Sequence, residues 1–184
     1  MSIEVNTTML KFRTILHGVS AAALVVAGAT AQPPQTANRL MRSDNSFITA
    51  AAQGGMAEVE LGRLAVQRAA DPTVKQFGQH MIDDHTKAND ELKQIATRKG
   101  VSVPSEVSAR QKGVIEKLSQ LNGAEFDRAY MQDMVQDHQQ TAAEFQREAD
   151  KGSDADLKAF AGKVLPTIQE HLQMARSTNA QLKH

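Results

Sequence analysis

Two histidines of this chain occupy matching positions in a repeated segment. The segment from Phe77 to His85 returns as the segment from Tyr130 to His138, and each copy places an aromatic residue, a Met and a His one helical turn apart. On a helix, this spacing keeps the three side chains on roughly the same side. Two imidazoles are therefore expected at equal depth on two core-facing helices, where neutral imidazoles can bind a transition metal.

The first and last long helices each add an inward polar residue. Glu58 lies among apolar positions, about as far before the Asp71-Pro72 turn as His85 lies after it, so the two should face each other. Burying an unpaired carboxylate is costly, and a cation would offset that cost. His171 lies on the apolar face of the last helix, although residue counting puts its backbone roughly 4 to 5 Å from the level of His138.

Together these residues predict a metal site inside a group of four helices. The expected ligands are Glu58, His85, His138 and His171, with Asp84 and Asp137 as outer partners that hold the imidazoles or become ligands themselves. Such a set suits zinc, copper or iron. Two other interpretations stay open, a hydrogen-bonded polar core that serves packing and a pH-responsive histidine cluster. Soft thioether sulfurs that could bind copper are offered by Met81, Met134 and Met174, but the helical spacing of these residues favours a role in core packing.

Periodicity and capping signals predict the helices that carry these residues. The first is expected from Phe47 to Ala70 after a cap at Ser46, and the second from the Asp71-Pro72 start to Gly100. A short helix is expected to begin at Pro104-Ser105, and the third long helix to end at Gly152. The fourth long helix is expected to begin with a capping box formed by Ser153 and Asp156. Pro166 should kink this last helix.

No segment has the pattern of a β-strand, so the predicted fold is all-α. Two tight turns predict two antiparallel hairpins, and the connection over 101–123 is long enough to cross from one end to the other. That arrangement is a ferritin-like four-helix bundle with a short extra helix in the crossover. It makes the second and third long helices parallel, which brings the two repeated histidines to one level.

The N-terminal region has the layout of a secretory signal peptide. Lys11 and Arg13 precede an apolar run too short for a membrane span, and Ala29-Thr30-Ala31 is a cleavage pattern. The predicted organisation is a signal peptide over 1–31, a polar linker over 32–45 and the helical domain over 46–182. The expected location is the periplasm or the exterior, with no stable membrane span after cleavage.

Composition and motifs restrict the function further. The chain has 21 basic and 21 acidic residues, few aromatic residues and no Cys, so neither nucleic-acid binding nor a thiolate site is expected. No nucleophile elbow or phosphate loop occurs, and the Glu-x-x-His signature of di-iron bundles is absent, which disfavours catalysis. The sequence leaves three functions: an exported metal-binding bundle, an envelope-stress or interaction module with a structural polar core and, as a distant third, a hydrolytic or redox enzyme. It leaves open a homo-oligomer or an envelope protein partner.

Four segments together resemble an exported bacterial family known as domain of unknown function 4142. They contain Glu58 in Ala-Glu-Val-Glu-Leu-Gly, His85 in Met-Ile-Asp-Asp-His, His138 in Met-Val-Gln-Asp-His, and His171 after Leu165-Pro166. The resemblance extends over 47–182 and implies a ferritin-like bundle after a signal peptide. The four positions that it carries over are the same four residues, and it implies no activity.

Overall fold

The structure, a computed structural model, describes residues 35–182. Within that range the chain forms five α-helices and no β-strand: α1 (Gln35–Arg68), α2 (Pro72–Arg98), α3 (Ala109–Ser119), α4 (Gly123–Lys151) and α5 (Ala155–Gln181). The prediction of an all-α fold is therefore confirmed. The predicted signal peptide lies outside the described residues. None of the described helices has a stretch long and apolar enough to cross a membrane.

The helix α1 begins well before the start that the sequence predicts. It includes most of the expected linker over 32–45, and Ser46 is an interior residue whose hydroxyl donates to the carbonyl of Arg42 at 2.8 Å. Asp44 is buried and accepts hydrogen bonds from the backbone N–H and the hydroxyl of Ser153. This long-range partner anchors the early part of α1, and no local signal in the sequence reveals it.

The start of α2 is the one that the sequence predicts. Asp71 is its N-cap, and the carboxylate accepts a hydrogen bond from the backbone N–H of Thr73 at 2.7 Å. Pro72 occupies the first helical position, where its missing N–H costs nothing and its fixed φ suits the helix. Pro166 lies inside α5, which continues on both sides of it.

Two other predicted helix starts are wrong by a few residues. The short helix α3 does not begin at Pro104-Ser105, because Ser108 and Gln111 form a capping box further along. The cap of α5 is Asp154, whose carboxylate accepts from two backbone N–H groups, whereas Ser153 is bound to α1. In both places several polar residues compete for one cap, and only the folded chain selects among them.

The helices α2 and α4 run parallel. Phe77 packs edge-on against Tyr130, with ring centroids 6.0 Å apart, and further along both helices the rings of His85 and His138 are 5.8 Å apart. Because the pairs occur in the same order on both helices, the helices must point the same way. This agrees with the arrangement that the sequence repeat predicts.

The connection between α2 and α4 therefore travels the length of the molecule. Lys99, which caps the end of α2, forms an ion pair at 2.7 Å with Asp154 at the start of α5. At the opposite end, Asp127 near the start of α4 accepts hydrogen bonds from the backbone N–H groups of Ala70 and Asp71. The short helix α3 lies within this connection, against α1 and α4.

Two apolar clusters fill the interior, one toward each end of the long helices. The first contains Phe47, Ile48, Leu92, Ile95, Phe145, Leu157, Phe160 and Ile168, among others. The second contains Leu61, Val74, Phe77, Met81, Phe126, Tyr130, Met134 and Ala175, among others. On all four long helices, a polar residue lies between the stretches that belong to the two clusters, so a polar layer crosses the middle of the core.

Candidate metal centre

Each long helix contributes one side chain to the polar layer: Glu58 from α1, His85 from α2, His138 from α4 and His171 from α5. Glu58, His138 and His171 are only 1 to 3% exposed, and the Nε2 atom of His85 is shielded from solvent. Apolar turns above and below each residue hold the helices together at this level. The structure thus brings together all four residues that the sequence singles out.

The three imidazoles form a nearly equilateral triangle. The ring centroids of His85 and His138 are 5.8 Å apart, and His171 is 5.6 Å from each of them. One ring nitrogen from each residue lies within 4.8 Å of the other two. A metal–nitrogen bond of about 2.0 Å, with roughly 1.1 Å from nitrogen to ring centre, would place three trigonal rings about 5.4 Å apart. The observed triangle is slightly larger than that.

In two of the three imidazoles, hydrogen bonds determine which ring nitrogen remains available to bind a metal. The Nδ1 atom of His138 is 3.0 Å from the carbonyl oxygen of Met134, so Nδ1 carries the proton and Nε2 keeps its lone pair. The Nε2 atom of His171 is 3.1 Å from a carboxylate oxygen of Asp84, which leaves Nδ1 free. A carboxylate or carbonyl behind an imidazole is the usual support for a metal ligand.

Within residues 35–182, the available atoms have no hydrogen-bond partner. The unpartnered buried atoms of the polar layer are Nε2 of His85, Nε2 of His138, Nδ1 of His171 and one carboxyl oxygen of Glu58. A polar network that served packing alone would satisfy its members, because an unmet buried polar group costs about 1 to 3 kcal/mol. Four such atoms in one layer fit a site that takes a ligand from outside the chain.

Burial keeps the imidazoles neutral. It lowers the pKa of His138 to about 4, despite the opposing influence of Asp137. The pKa of His85 lies well below its ordinary value because of burial and then the two neighbouring imidazoles. For His171, burial lowers the pKa although Asp84 acts in the opposite direction. Neutral rings present lone pairs, which is the form that metal coordination requires.

A second group of potential ligands adjoins the triangle. Oxygens of Glu58 and Asp137 lie within 4.8 Å of each other and of a ring nitrogen of His138, so His138 belongs to both groups. Burial, followed by the charges of Asp137 and Asp133, holds the pKa of Glu58 well above its ordinary value. Burial therefore favours the neutral form of the Glu58 carboxyl group, and a bound cation would favour its charged form.

The two predicted outer aspartates have different surroundings. Asp84 supports the ring of His171 rather than that of His85, its neighbour in sequence. Asp137 lies among the potential ligands, and its carboxylate also accepts a hydrogen bond from the hydroxyl of Thr141 at 3.3 Å. Each aspartate precedes its histidine by one residue and so projects from a different side of the helix, toward a different neighbour.

His171 joins the triangle although residue counting predicts a mismatch in depth with His138. Helical side chains lean toward the N-terminus of their helix. Because α4 and α5 are antiparallel, His138 leans away from the turn between them and His171 leans toward it. The two leanings together recover about two residues, or roughly 3 Å, of the predicted offset. Glu58, on α1, groups with Asp137 and His138 of α4.

Two groups near the site are absent from the sequence prediction. The hydroxyl of Tyr130 is buried without a partner, and its pKa is raised by burial and then by Glu58. Asp133 is half-buried one turn before Asp137, with a pKa raised by burial and then by Asp137. The one-turn spacing of Asp133 and Asp137 was a readable signal. Met81 and Met134 lie in the apolar core, and His80 is exposed.

Comparison with known proteins identifies the family. The model of the family described as "Domain of unknown function (DUF4142)" matches residues 29–178, so the chain belongs to that family. The resemblance seen in the sequence is thereby confirmed. No curated protein matches the sequence.

Solved structures with this fold come from proteins of low sequence identity. A DUF305 fragment from Deinococcus radiodurans has 14% identity and a TM-score of 0.67, covering 76% of this chain and 96% of its own. A putative secreted DUF305 protein from Streptomyces coelicolor has 14% identity and a TM-score of 0.65, covering 77% and 94%. CopM in its Cu(II)-bound form has 15% identity and a TM-score of 0.65, covering 75% and 96%.

Proposed function

We propose that this member of the DUF4142 family binds a transition-metal ion inside its helical core, with copper as the first candidate and zinc or iron as alternatives. The observation that carries the proposal is the triangle of three neutral imidazoles whose available nitrogens have no hydrogen-bond partner in the part of the chain that the structure describes. Imidazole ligands suit copper, zinc and iron alike. The Cu(I)-bound and Cu(II)-bound forms of CopM, which share the fold, favour copper.

In this proposal, His85 and His138 bind the ion through Nε2 and His171 binds it through Nδ1. Asp84 and the carbonyl of Met134 hold two of the rings in the required tautomer. To bind one ion, the three ring nitrogens, now within 4.8 Å of one another, would have to lie about 3.5 Å apart, which is the spacing of three trigonal ligands at about 2.0 Å. Glu58 and Asp137, on the α1 and α4 side, offer oxygen atoms next to the imidazoles.

The architecture and location that we propose are those of an exported ferritin-like bundle. Four long helices in two antiparallel hairpins, joined by a crossing connection, support the bundle over 46–182. A signal peptide over 1–31 and a short linker up to residue 45, which the first helix enters, complete the proposed organisation. The secreted DUF305 protein that shares the fold is consistent with export.

Metal binding can be tested on tag-free protein stripped with a chelator. Wild type, dialysed against Cu²⁺ or Zn²⁺ and then against buffer, should retain one ion per chain by elemental analysis. X-ray absorption should show imidazole nitrogens at about 2.0 Å. His138→Ala should lose the ion, whereas His80→Ala, which removes an exposed histidine of α2, should keep it.

A wild type that retains no ion, or a His138→Ala variant that retains as much as wild type, would overturn the proposal. If in addition His138→Ala lowered the free energy of unfolding, the polar layer would be a structural core. That is the alternative that the sequence leaves open. The function would then lie elsewhere on the molecule.

A further inference from the structure

An acidic groove runs over the surface between α1, α3 and α4 and reaches the polar layer. It has a volume of about 240 Å³, and its walls contain four carboxyl groups and one guanidinium group, that of Arg110. The carboxyl groups belong to Glu58, Asp133, Asp137 and Glu144. The field in this groove therefore favours cations, and such a field raises their local concentration and association rate.

A smaller cavity of about 40 Å³ adjoins the groove. His85 is among the residues that line this cavity. Gly54, Glu58, Asp137 and Thr141 are among the residues that line both spaces, so they form the boundary between groove and cavity. The cavity has room for one to three water-sized particles, which fits an ion that has shed most of its water. The groove therefore leads from solvent to Glu58 and Asp137, and the cavity beyond them reaches the imidazole of His85.

Glu58 lies at the inner end of the groove and is the strongest candidate there to bind a ligand. Its side chain is 3% exposed and lines both spaces, and one carboxyl oxygen has no hydrogen-bond partner among the described residues. On the side of the turn between α1 and α2, Phe77 packs edge-on against both His138 and His171, with centroids 6.4 Å away. The apolar ring of Phe77 covers the histidine triangle on that side, and the carboxyl groups of the groove lie on another side.

We propose that the metal ion enters through this groove and is first received by Glu58, Asp137 and His138 before it moves to the three histidines. Because His138 belongs to both ligand groups, the ion can keep one nitrogen ligand while oxygen ligands are replaced by His85 and His171. Carboxyl oxygens are suitable first partners for an ion that is still partly hydrated. This inference rests on the proposed function and adds a route and an order of binding to it.

A substitution at Gly54 can close the route without touching a ligand. A Cβ at Gly54 would have Gln111 Nε2 as its nearest neighbour, at 4.0 Å, so the first carbon of an added side chain meets no clash. Replacing a helical Gly does not weaken the helix, since Gly is an unfavourable interior residue. Gly113→Leu is the matched control, because Gly113 is an exposed helical glycine of α3 with nothing within 4 Å.

The single Tyr of the chain provides the measurement. Tyr130 is buried beside Phe77, and the chain has no Trp, so quenching of tyrosine fluorescence by Cu²⁺ in a stopped-flow instrument reports arrival at the core. Gly54→Leu should slow Cu²⁺ association at least tenfold and slow its release in parallel, with unchanged stoichiometry and nearly unchanged Kd. Gly113→Leu should associate at the wild-type rate.

The charge of the groove gives a second, independent readout. Asp133→Asn combined with Glu144→Gln should slow association several-fold at low salt and make the rate less sensitive to ionic strength. The matched control is Asp90→Asn with Glu91→Gln, in the groove between α2 and α5, which should leave the rate unchanged.

The outcomes separate this inference from the proposed function. Wild-type association rates in both groove variants of a protein that binds Cu²⁺ would refute the route and leave metal binding intact. A wild type that binds neither Cu²⁺ nor Zn²⁺ would refute both. Slowed association in both variants, with normal stoichiometry, would support the route.

Discussion

Acid should destabilise the metal-free protein because its buried imidazoles resist protonation. The pKa of His138 in the folded state is about 4, whereas an unfolded histidine has a pKa near 6.5. Between these values the unfolded chain binds a proton that the folded chain refuses, so the free energy of unfolding rises with pH. The contribution of His138 is thus fully present above pH 6.5 and is lost as the pH falls toward 4.

The size of the effect follows from proton linkage. For one group with these two pKa values, lowering the pH from 7 to 4.5 removes about 2 kcal/mol from the free energy of unfolding. The lowered pKa values of His85 and His171 add losses of the same sign. Glu58 opposes them, since its raised pKa makes the folded state hold a proton that the unfolded state releases as the pH rises above about 4.5.

The assay is urea unfolding in the presence of a chelator at pH 7.0, 6.0, 5.0 and 4.5, for wild type and His138→Gln. Glutamine can still donate to the carbonyl of Met134 but does not titrate. The loss of stability between pH 7 and 4.5 should be about 2 kcal/mol smaller in His138→Gln, while the contribution of Glu58 cancels in the comparison. His80→Gln, which replaces an exposed histidine of α2, should keep the wild-type dependence.

Equal pH dependence in wild type and His138→Gln would refute the reasoning. It would mean that the folded protein protonates His138 as easily as the unfolded chain does. The burial of this imidazole would then impose no penalty on its charged form, and a neutral ligand triangle would lose its physical basis.

Three further predictions concern packing, a long-range hydrogen bond and export. Gly62→Ala should lower the free energy of unfolding in urea by about 1 to 3 kcal/mol, because the added Cβ would lie 2.6 Å from a backbone oxygen of α2; Gly113→Ala should not lower it. Asp127→Ala should cost about 2 kcal/mol, since two backbone N–H groups in the turn between α1 and α2 lose their acceptor, whereas Asp150→Ala on an exposed end of α4 should cost much less. Intact-mass analysis of exported protein should give Gln32 as the first residue, and a full-length species held in the inner membrane would contradict cleavage after residue 31.

Much of the fold could be predicted from the sequence because the interactions that determine it are between residues close in the chain. The start at Asp71-Pro72 is a cap and a fixed φ between neighbouring residues, and the inward positions of α2 and α4 follow from helical periodicity. The start of α1 was not readable, because Asp44 finds its partner in Ser153 at the far end of another hairpin.

For the site, helical periodicity in the sequence was enough to predict which residues face inward and at what depth. Helical geometry converts the spacing of His85 and His138 into a common level, and the two turns add Glu58 and His171. How these residues group could be seen only in the folded chain. The lean of side chains on antiparallel helices draws His171 toward His138, and the helix that each aspartate faces makes Asp84 a support for His171 and Asp137 a neighbour of Glu58. Such choices depend on distances between helices, which a one-dimensional pattern does not contain.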